Sequence, residues 1–323
     1  MAEVSVVIPC FNAEKYIFLA VQSILNQSFT DLEVLVVDDN SLDKSVKVLK
    51  KIVDKRLKII ELKQNSGYPT AMKIGIENAS GVYIARMDAD DISLKNRIFD
   101  QMQLIKKNPT CAFVATNRFR ITPNGKKYNS KEIFDTKTII QTWDNLVFGP
   151  RIFADASVIF SKEKYNNVGG YRTYQRSGMD VDLWLRLLEK YDPAITFTDS
   201  YYGHRLLPGS IVFQPETQKI NQIPRLLAKK RIENKNNTNF VEETLKQSDL
   251  ISEIELSNPI KNLGLKTNIG MSVNCFIFGD WKGSFSFIWS NFRQEPLKIG
   301  YILKEFFVIF CKRIMQKPFL RVR

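Results

Sequence analysis

Between Val4 and Met87 the chain repeats one pattern: a short apolar run of strand length, a polar loop, then apolar residues at helical spacing. The runs are Val4–Pro9, Glu33–Val37, Leu57–Leu62 and Val82–Met87. Continuous β-branched stretches such as Val4-Ser5-Val6-Val7-Ile8 suit strands buried on both faces. Ile17, Val21, Ile24 and Leu25 follow the first run, and Val46, Leu49, Ile52 and Val53 the second, each at helical spacing. Asn12 is the expected cap of the first helix, with Glu14 favouring its positive end. A third helix is predicted from Pro69 to Asn78, where proline suits the first turn, and a fourth from Leu94 to Lys107. Repeated β-α units of this length restrict the fold class to α/β, a doubly wound, mostly parallel sheet with right-handed crossovers.

Acid sits where two of these strands end. Asp38-Asp39-Asn40-Ser41 closes the second, and Asp88-Ala89-Asp90-Asp91 closes the fourth. Crowded like charges are costly unless something positive joins them. Ligands of open α/β sheets bind outside the carboxyl ends of strands, and hard divalent cations take oxygen ligands. Asp88 and Asp90 are therefore a candidate metal clamp, with the metal in turn holding a phosphate. An isolated D-x-D reads more readily as a solvated acidic turn before a helix starting near Ser93. Two carboxylate clusters on one rim favour a site for a nucleotide and its metal.

Past Lys107 the alternation weakens. Ala112–Thr116 and Ala156–Phe160 read as strands, and Arg118–Glu132 as a hairpin around Asn124-Gly125. Gly169-Gly170-Tyr171-Arg172 is a turn, after which Met179 opens a helix with Asp180 near its N-terminus, where acid also serves simply as a dipole partner. Residues 221–323 differ in character. Asn234–Asn239 reads as a linker and Val241–Leu256 as a helix, and Leu297–Met315 places Ile302, Phe306 and Phe307 among Lys304, Lys312 and Arg313. This region carries 17 basic and 9 acidic side chains within a net charge of +13. A basic tail favours a phosphate-bearing partner. The last helix suits either the surface of an anionic membrane or packing on a protein surface. Trp281, Phe285, Phe287 and Trp289 imitate a nucleic-acid stacking face, but core packing is the expectation for them, and no nucleic acid partner is expected. Cys10, Cys111, Cys275 and Cys311 are too scattered for a zinc site or a disulfide framework, so a reducing cytoplasm is expected. Val4–Pro9 reads as a strand rather than a secretory leader, and no run approaches the roughly 20 apolar residues of a spanning helix.

The ordered motifs resemble those of family 2 glycosyltransferases. They are V-S-V-V-I-P-C-F-N at Val4–Asn12, V-D-D-N-S at Val37–Ser41, N-S-G at Asn65–Gly67 and A-S-G-V-Y-I-A-R-M-D-A-D-D at Ala79–Asp91. V-G-G-Y-R at Val168–Arg172 and D-V-D-L-W-L-R-L at Asp180–Leu187 complete the set. The resemblance covers about the first 210 residues. It implies a GT-A fold and an inverting transfer from a nucleotide sugar, UDP-linked by preference, to an acceptor hydroxyl. It further implies that Pro9, Phe11, Asn12, Asp38, Asp39 and Asn65 hold the nucleotide. Asp88, Ala89 and Asp90 would bind the ribose, diphosphate and a Mg or Mn ion, with Asp91 sharing the metal. Asp180 matches the general base. Arg205 and Ser210 resemble a later loop that closes over the diphosphate.

Two positions depart from the family pattern. Met179 stands where glutamate usually precedes the base, and Leu207 where a histidine often follows the late arginine. The sole histidine, His204, reads as a solvent-facing or hydrogen-bonded ring, and without a nucleophile elbow a Ser-His-Asp hydrolase is set aside. The expected organisation is a catalytic domain over 1–220, divided into a nucleotide-sugar half (1–117) and an acceptor half (118–220), then a mainly helical extension over 221–323. The expected acceptor is a lipid-linked glycan of bacterial surface polysaccharide synthesis, met at the inner face of the cytoplasmic membrane; an oligomer is compatible with the sequence. The competing readings are a non-catalytic nucleotide-sugar-binding or scaffold subunit and a sugar nucleotidyltransferase. The latter usually needs a glycine-rich loop where this chain has Pro9-Cys10-Phe11-Asn12.

Overall fold

The computed structural model describes residues 2–128, 136–149, 152–175, 178–208, 222–235, 280, 282, 284–285, 287–289 and 299–315. They fall into two compact units. The first is drawn from residues up to 119, from within 136–204 and from 222–235; the second holds 120–128, 205–208 and the described residues from 280 onward.

In chain order the elements are β1 (Val4–Cys10), α1 (Ile17–Leu25), β2 (Leu32–Asp38), α2 (Ser45–Leu49), β3 (Leu57–Glu61), α3 (Tyr68–Asn78) and β4 (Tyr83–Arg86). Then come β5 (Ile92–Ser93), α4 (Arg97–Lys107), β6 (Val114–Ile121), β7 (Lys127–Tyr128), β8 (Thr138–Gln141), α5 (Trp143–Phe148) and β9 (Ile159–Ser161). α6 (Lys162–Asn167), α7 (Met179–Lys190), β10 (Ala194–Arg205) and a helix at Ile223–Glu233 follow. The sheet order is β3-β2-β1-β4-β9-β6-β10-β5. β3, β2, β1 and β4 are parallel neighbours, as the repeated β-α units predict. Beyond them the sheet turns antiparallel, with β9 against β4, β6 against β9, and both β5 and β8 against β10.

The pleat sorts the side chains of β1 into two cores. Val4, Val6 and Ile8 face one core with Ile17, Val21 and Ile24 of α1 and Ile98 and Met102 of α4. Val7 faces the other with Met72 and Ile76 of α3 and Leu183, Trp184 and Leu187 of α7. Burial of each such aliphatic side chain contributes about 1.5–3 kcal/mol. α3 seats on the sheet through Gly75, where a Cβ would lie 2.4 Å from Val7 Cγ1.

Several local expectations shift. Asn12 does not cap α1: it adopts φ 52°, and its Oδ1 accepts the Leu42 N–H at 2.8 Å, tying the loop after β1 to the loop after β2. α2 ends at Leu49, and Val53 is 99% exposed, because the chain must turn at Asp54 to start β3. Ser93 lies in β5 against β10, and α4 begins only at Arg97. The helix Ile223–Glu233, beyond the boundary expected at 220, packs in the first unit: Arg225 Nε donates to Leu146 O at 2.9 Å and Arg231 Nη2 lies 2.8 Å from Glu189.

In the second unit, Arg120 and Ile121 pair with Tyr128 and Lys127 around a Thr122–Lys126 turn containing Gly125 at φ 84°. Asn124 hydrogen-bonds Asp280 through its backbone and side-chain amides. Phe287 is buried, but Phe285 and Trp289 are exposed and stacked on each other, contrary to the core packing expected for these aromatics. A helix spans Ile299–Met315, packing Ile302 with Phe306 and Ile309 and exposing Leu303, Phe307 and Val308. Among the described residues no helix is long and apolar enough to cross a membrane. The predicted helix Val241–Leu256 and Ser210 lie outside the described residues.

Candidate active site

β1 lies between β2 and β4, pairing Cys10 with Asp38 on one side and Val7 with Arg86 on the other. Parallel pairing puts all three carboxyl ends on one rim, so the acidic loops after β2 and β4 flank the loop after β1.

Asp39 organises the nucleotide side of that rim. Its Oδ1 accepts the Ser66 N–H at 2.7 Å and its Oδ2 the Gly67 N–H at 2.8 Å, while Asn65 Nδ2 donates to the Asp39 carbonyl at 3.2 Å. Asp38 Oδ2 accepts the Ser41 N–H at 3.0 Å, and its buried Oδ1 has no hydrogen-bond partner. Pro9 is buried at the end of β1, whereas Phe11 is 48% exposed beside Asn12.

The residue after Gly67 joins the two acidic loops. Tyr68, first in α3, donates its hydroxyl to Asp88 Oδ1 at 3.2 Å. The Asp88 N–H in turn donates to Tyr202 Oη at 3.1 Å. Asp90 is half-buried next to this carboxylate and raises its pKa. Asp91 differs: it is 1% exposed and turned inward, hydrogen-bonded with Tyr202 and close to the Arg97 charge. Arg97 also donates to the Arg86 carbonyl at 3.1 Å, which fixes the end of β4.

Asp180, second residue of α7, reaches the same place from the far side of the sheet order. Tyr171 donates its hydroxyl to Asp180 Oδ1 at 2.8 Å. Arg86 lies between the acids, with Nη2 3.4 Å from Asp88 Oδ1 and Nη1 3.2 Å from Asp180 Oδ1. Asp155 contributes further negative charge while accepting the Trp184 indole N–H at 3.0 Å. Burial pushes the Asp88 and Asp180 carboxyls up, each to about 6; Arg86 pulls them partly back, and the neighbouring acids raise them. Such a carboxyl stays ionised at pH 7 and accepts a proton more readily than an ordinary aspartate.

Asp90 and Asp155 add negative charge beside Asp88, and Asp88 and Asp155 beside Asp180. Hard carboxylate oxygens suit Mg or Mn. Among the described residues no group of three or more ligating side chains is gathered to cage a metal.

The remaining predicted positions have other surroundings. Arg205 is buried in the second unit, where Nη1 donates to the carbonyls of Thr122 and Pro123 at 3.1 Å each and holds the hairpin turn. Asp182 of the D-V-D motif is fully buried, bound by Arg186 at 2.7 Å and Arg172 at 3.2 Å. Arg186 also donates to the carbonyls of Val168 and Gly170, so the V-G-G-Y-R and D-V-D-L-W-L-R-L motifs form one locked piece behind Asp180. Motif reading passed over Arg86, Tyr68, Tyr171, Asp155 and Tyr202. Arg86 and Tyr171 stood inside quoted motifs, but only tertiary packing reveals their partners. Burial and the Asp38 charge push the Cys10 thiol up to about 12, which disfavours the thiolate.

Comparison with known proteins bears on the family and the fold. Residues 5–178 match the family described as glycosyl transferase family 2. An uncharacterized glycosyltransferase of Haemophilus influenzae is 42% identical over 107 residues, covering 32% of this chain and 33% of its own length. A second protein of that organism is 36% identical over 110 residues, 44% of its length, so the chain spans well under two thirds of either relative. TuaG of Bacillus subtilis, named as a teichuronic acid biosynthesis glycosyltransferase, is 29% identical over 210 residues, 64% of this chain and 81% of TuaG. Among solved structures, S. aureus TarS 1–349 in complex with UDP-GlcNAc superposes with a TM-score of 0.60 at 18% identity, covering 96% of this chain and 89% of that one. That likeness bears out the GT-A type of fold. With the family match extending over more than half of its length, the chain belongs to glycosyl transferase family 2.

Proposed function

We propose that this protein is an inverting glycosyltransferase that moves a sugar from a nucleoside-diphosphate sugar to an acceptor hydroxyl. The observation that carries this reading is the placement of Asp88 and Asp180 against the two terminal nitrogens of one guanidinium, that of Arg86. One carboxylate belongs to the donor rim; the other is held by Tyr171 and is positioned to serve as a base.

Asp39 and Asn65 shape the loop that receives the nucleotide, with Asp38 buried close by. Asp88 and Asp90 would hold Mg or Mn, whose Lewis acidity would neutralise the departing nucleoside diphosphate. Asp91, turned toward Tyr202, supports the loop from beneath rather than sharing the metal. Asp180 takes the acceptor's proton as that oxygen attacks the anomeric carbon, and the bond to the diphosphate breaks on the opposite face. UDP-sugars are the first donors to test; TarS, of the same fold, was solved with UDP and with UDP-GlcNAc. The teichuronic acid biosynthesis in TuaG's name supports a bacterial polysaccharide as the setting, and within this reading the acceptor is a lipid-linked glycan. Exposed Leu303, Phe307 and Val308 beside Lys304 support peripheral contact with anionic lipid.

The test is a melting screen against UDP-, GDP-, CDP- and dTDP-sugars with and without Mn, using wild type and Asp90→Asn. Ligand at a hundred times its dissociation constant adds about 2.7 kcal/mol, a shift of several degrees. A Mn-dependent shift with one nucleotide class, lost in Asp90→Asn, is expected. Folded protein that shifts with none of them defeats the donor-site assignment.

A further inference from the structure

Arg86 is 1% exposed at the carboxyl end of β4, with its guanidinium carbon 5.5 Å from the Tyr68 ring centre and 6.0 Å from that of Trp184. Taking a guanidinium out of water is expensive, and ring faces return only part of that cost. Its Nε and Nη1 are buried without a hydrogen-bond partner, so Nη1 meets Asp180 as a charge alone. A side chain kept for packing would do better as methionine, and one kept to brace the backbone would spend its donors on carbonyls, as Arg97 and Arg186 do. Arg86 instead aims one terminal nitrogen at Asp88 and the other at Asp180.

We propose that Arg86 is a positioning residue that sets the reach between the donor rim and the base. The inference rests on the roles of Asp88 and Asp180 given above. The guanidinium is a rigid planar fork whose Nη2 hydrogen-bonds Asp88 while the Nη1 charge faces Asp180, so contact with both carboxylates at once fixes their separation. Tyr68 and Trp184 clamp that fork from α3 and α7, the helices that carry the loop at Gly67 and the base itself. Asp180 does its work only as the proton leaves, so a base displaced by a fraction of an ångström leaves donor affinity intact and lowers turnover. Lysine keeps the charge but is a single point on a flexible stem and cannot span both acids.

The experiment uses the full chain and water as acceptor, following UDP release from UDP-GlcNAc in the presence of Mn, with UDP affinity measured in parallel. Arg86→Lys is expected to lower kcat about 10- to 100-fold, with KM and the UDP dissociation constant changed less than about threefold. In Arg86→Ala, added guanidinium ion is expected to restore turnover at least about tenfold where equal urea does not. An unchanged kcat in Arg86→Lys overturns the inference, as does a rise in KM matched by weaker UDP binding. Loss of turnover together with loss of cooperative melting also overturns it, in favour of a packing role. Wild type that binds no UDP with Mn, or releases none from UDP-GlcNAc, defeats the donor-site reading itself. Wild type that binds and turns over but ignores Arg86→Lys defeats only this inference.

Discussion

Tyr171 gives its hydroxyl hydrogen to Asp180 Oδ1 across 2.8 Å, and its own backbone N–H is held by Tyr165 Oη at 2.9 Å. The turn before α7 therefore points a hydrogen bond at the proposed base and is itself anchored from α6. Tyr171→Phe removes that bond while keeping the ring that packs 5.9 Å from Tyr165. Turnover should fall about tenfold and stability by about 1 kcal/mol, with donor affinity unchanged. Steady-state kinetics beside a nucleotide titration will separate the two effects.

Asp180→Asn should abolish transfer, by about a thousandfold or more, and yet stabilise the fold. Burial holds this carboxyl near 6, above the 3.8 of an ordinary aspartate, so its ionised form is a native-state burden at neutral pH. The burden is present above about pH 6 and fades as pH falls toward 3.8. The variant should therefore melt higher than wild type at pH 7, by on the order of 1–3 kcal/mol, with the gap closing near pH 4. Equal melting temperatures at pH 7 would contradict the burial argument.

Asp182 should behave in the opposite way. It is fully buried and binds Arg186 and Arg172, with Arg231 of the helix Ile223–Glu233 at 3.6 Å. Asp182→Ala leaves those guanidinium groups without their shared counter-ion, at a cost of about 3–5 kcal/mol. Denaturant unfolding should show the loss, and limited proteolysis should detect release of the Ile223–Glu233 helix.

At the opposite end of the sheet, Glu33 predicts an acid limb in stability. Burial alone would raise its carboxyl, but the Lys58 ammonium and the Ser5 and Ser80 hydrogen bonds prevail and hold it at about 2. Its contribution is complete above the ordinary 4.5 and is lost as pH falls through about 2. Glu33→Gln should cost about 1–3 kcal/mol at pH 7 and flatten the dependence between pH 4.5 and 2. Melting curves across that range test it.

How much was legible in the chain follows from which forces are local. β1, β2 and β4 could be read directly, because a strand buried on both faces must be mostly apolar and Val4–Ile8, with Ser5 its one polar residue, meets that demand without any partner being known. The acidic rim was legible for the same reason: Asp88 and Asp90 end a buried strand, and a parallel sheet allows ligands only one edge. Asn12 was misread because capping depends on the backbone angle its neighbours impose, and those neighbours are Ser41 and Leu42 of another loop. The apolar spacing behind β2 continues to Val53, but α2 ends at Leu49 because the helix has to end in time for β3 to pair with β2.

The amino-acid sequence by itself determined the sheet, its parallel half, the family and the identity of the acids, since strand burial, helical spacing and strand-end charge are written in neighbouring residues. Only the tertiary structure decided that Arg86 stands between Asp88 and Asp180, that Tyr171 holds the latter, and that Asp91 and Arg205 turn to structural partners. Such pairings join residues far apart in the chain. They follow from the seating of α3 and α7 on one face of the sheet, through Gly75 against Val7 and Trp184 against Phe160, which no local pattern encodes.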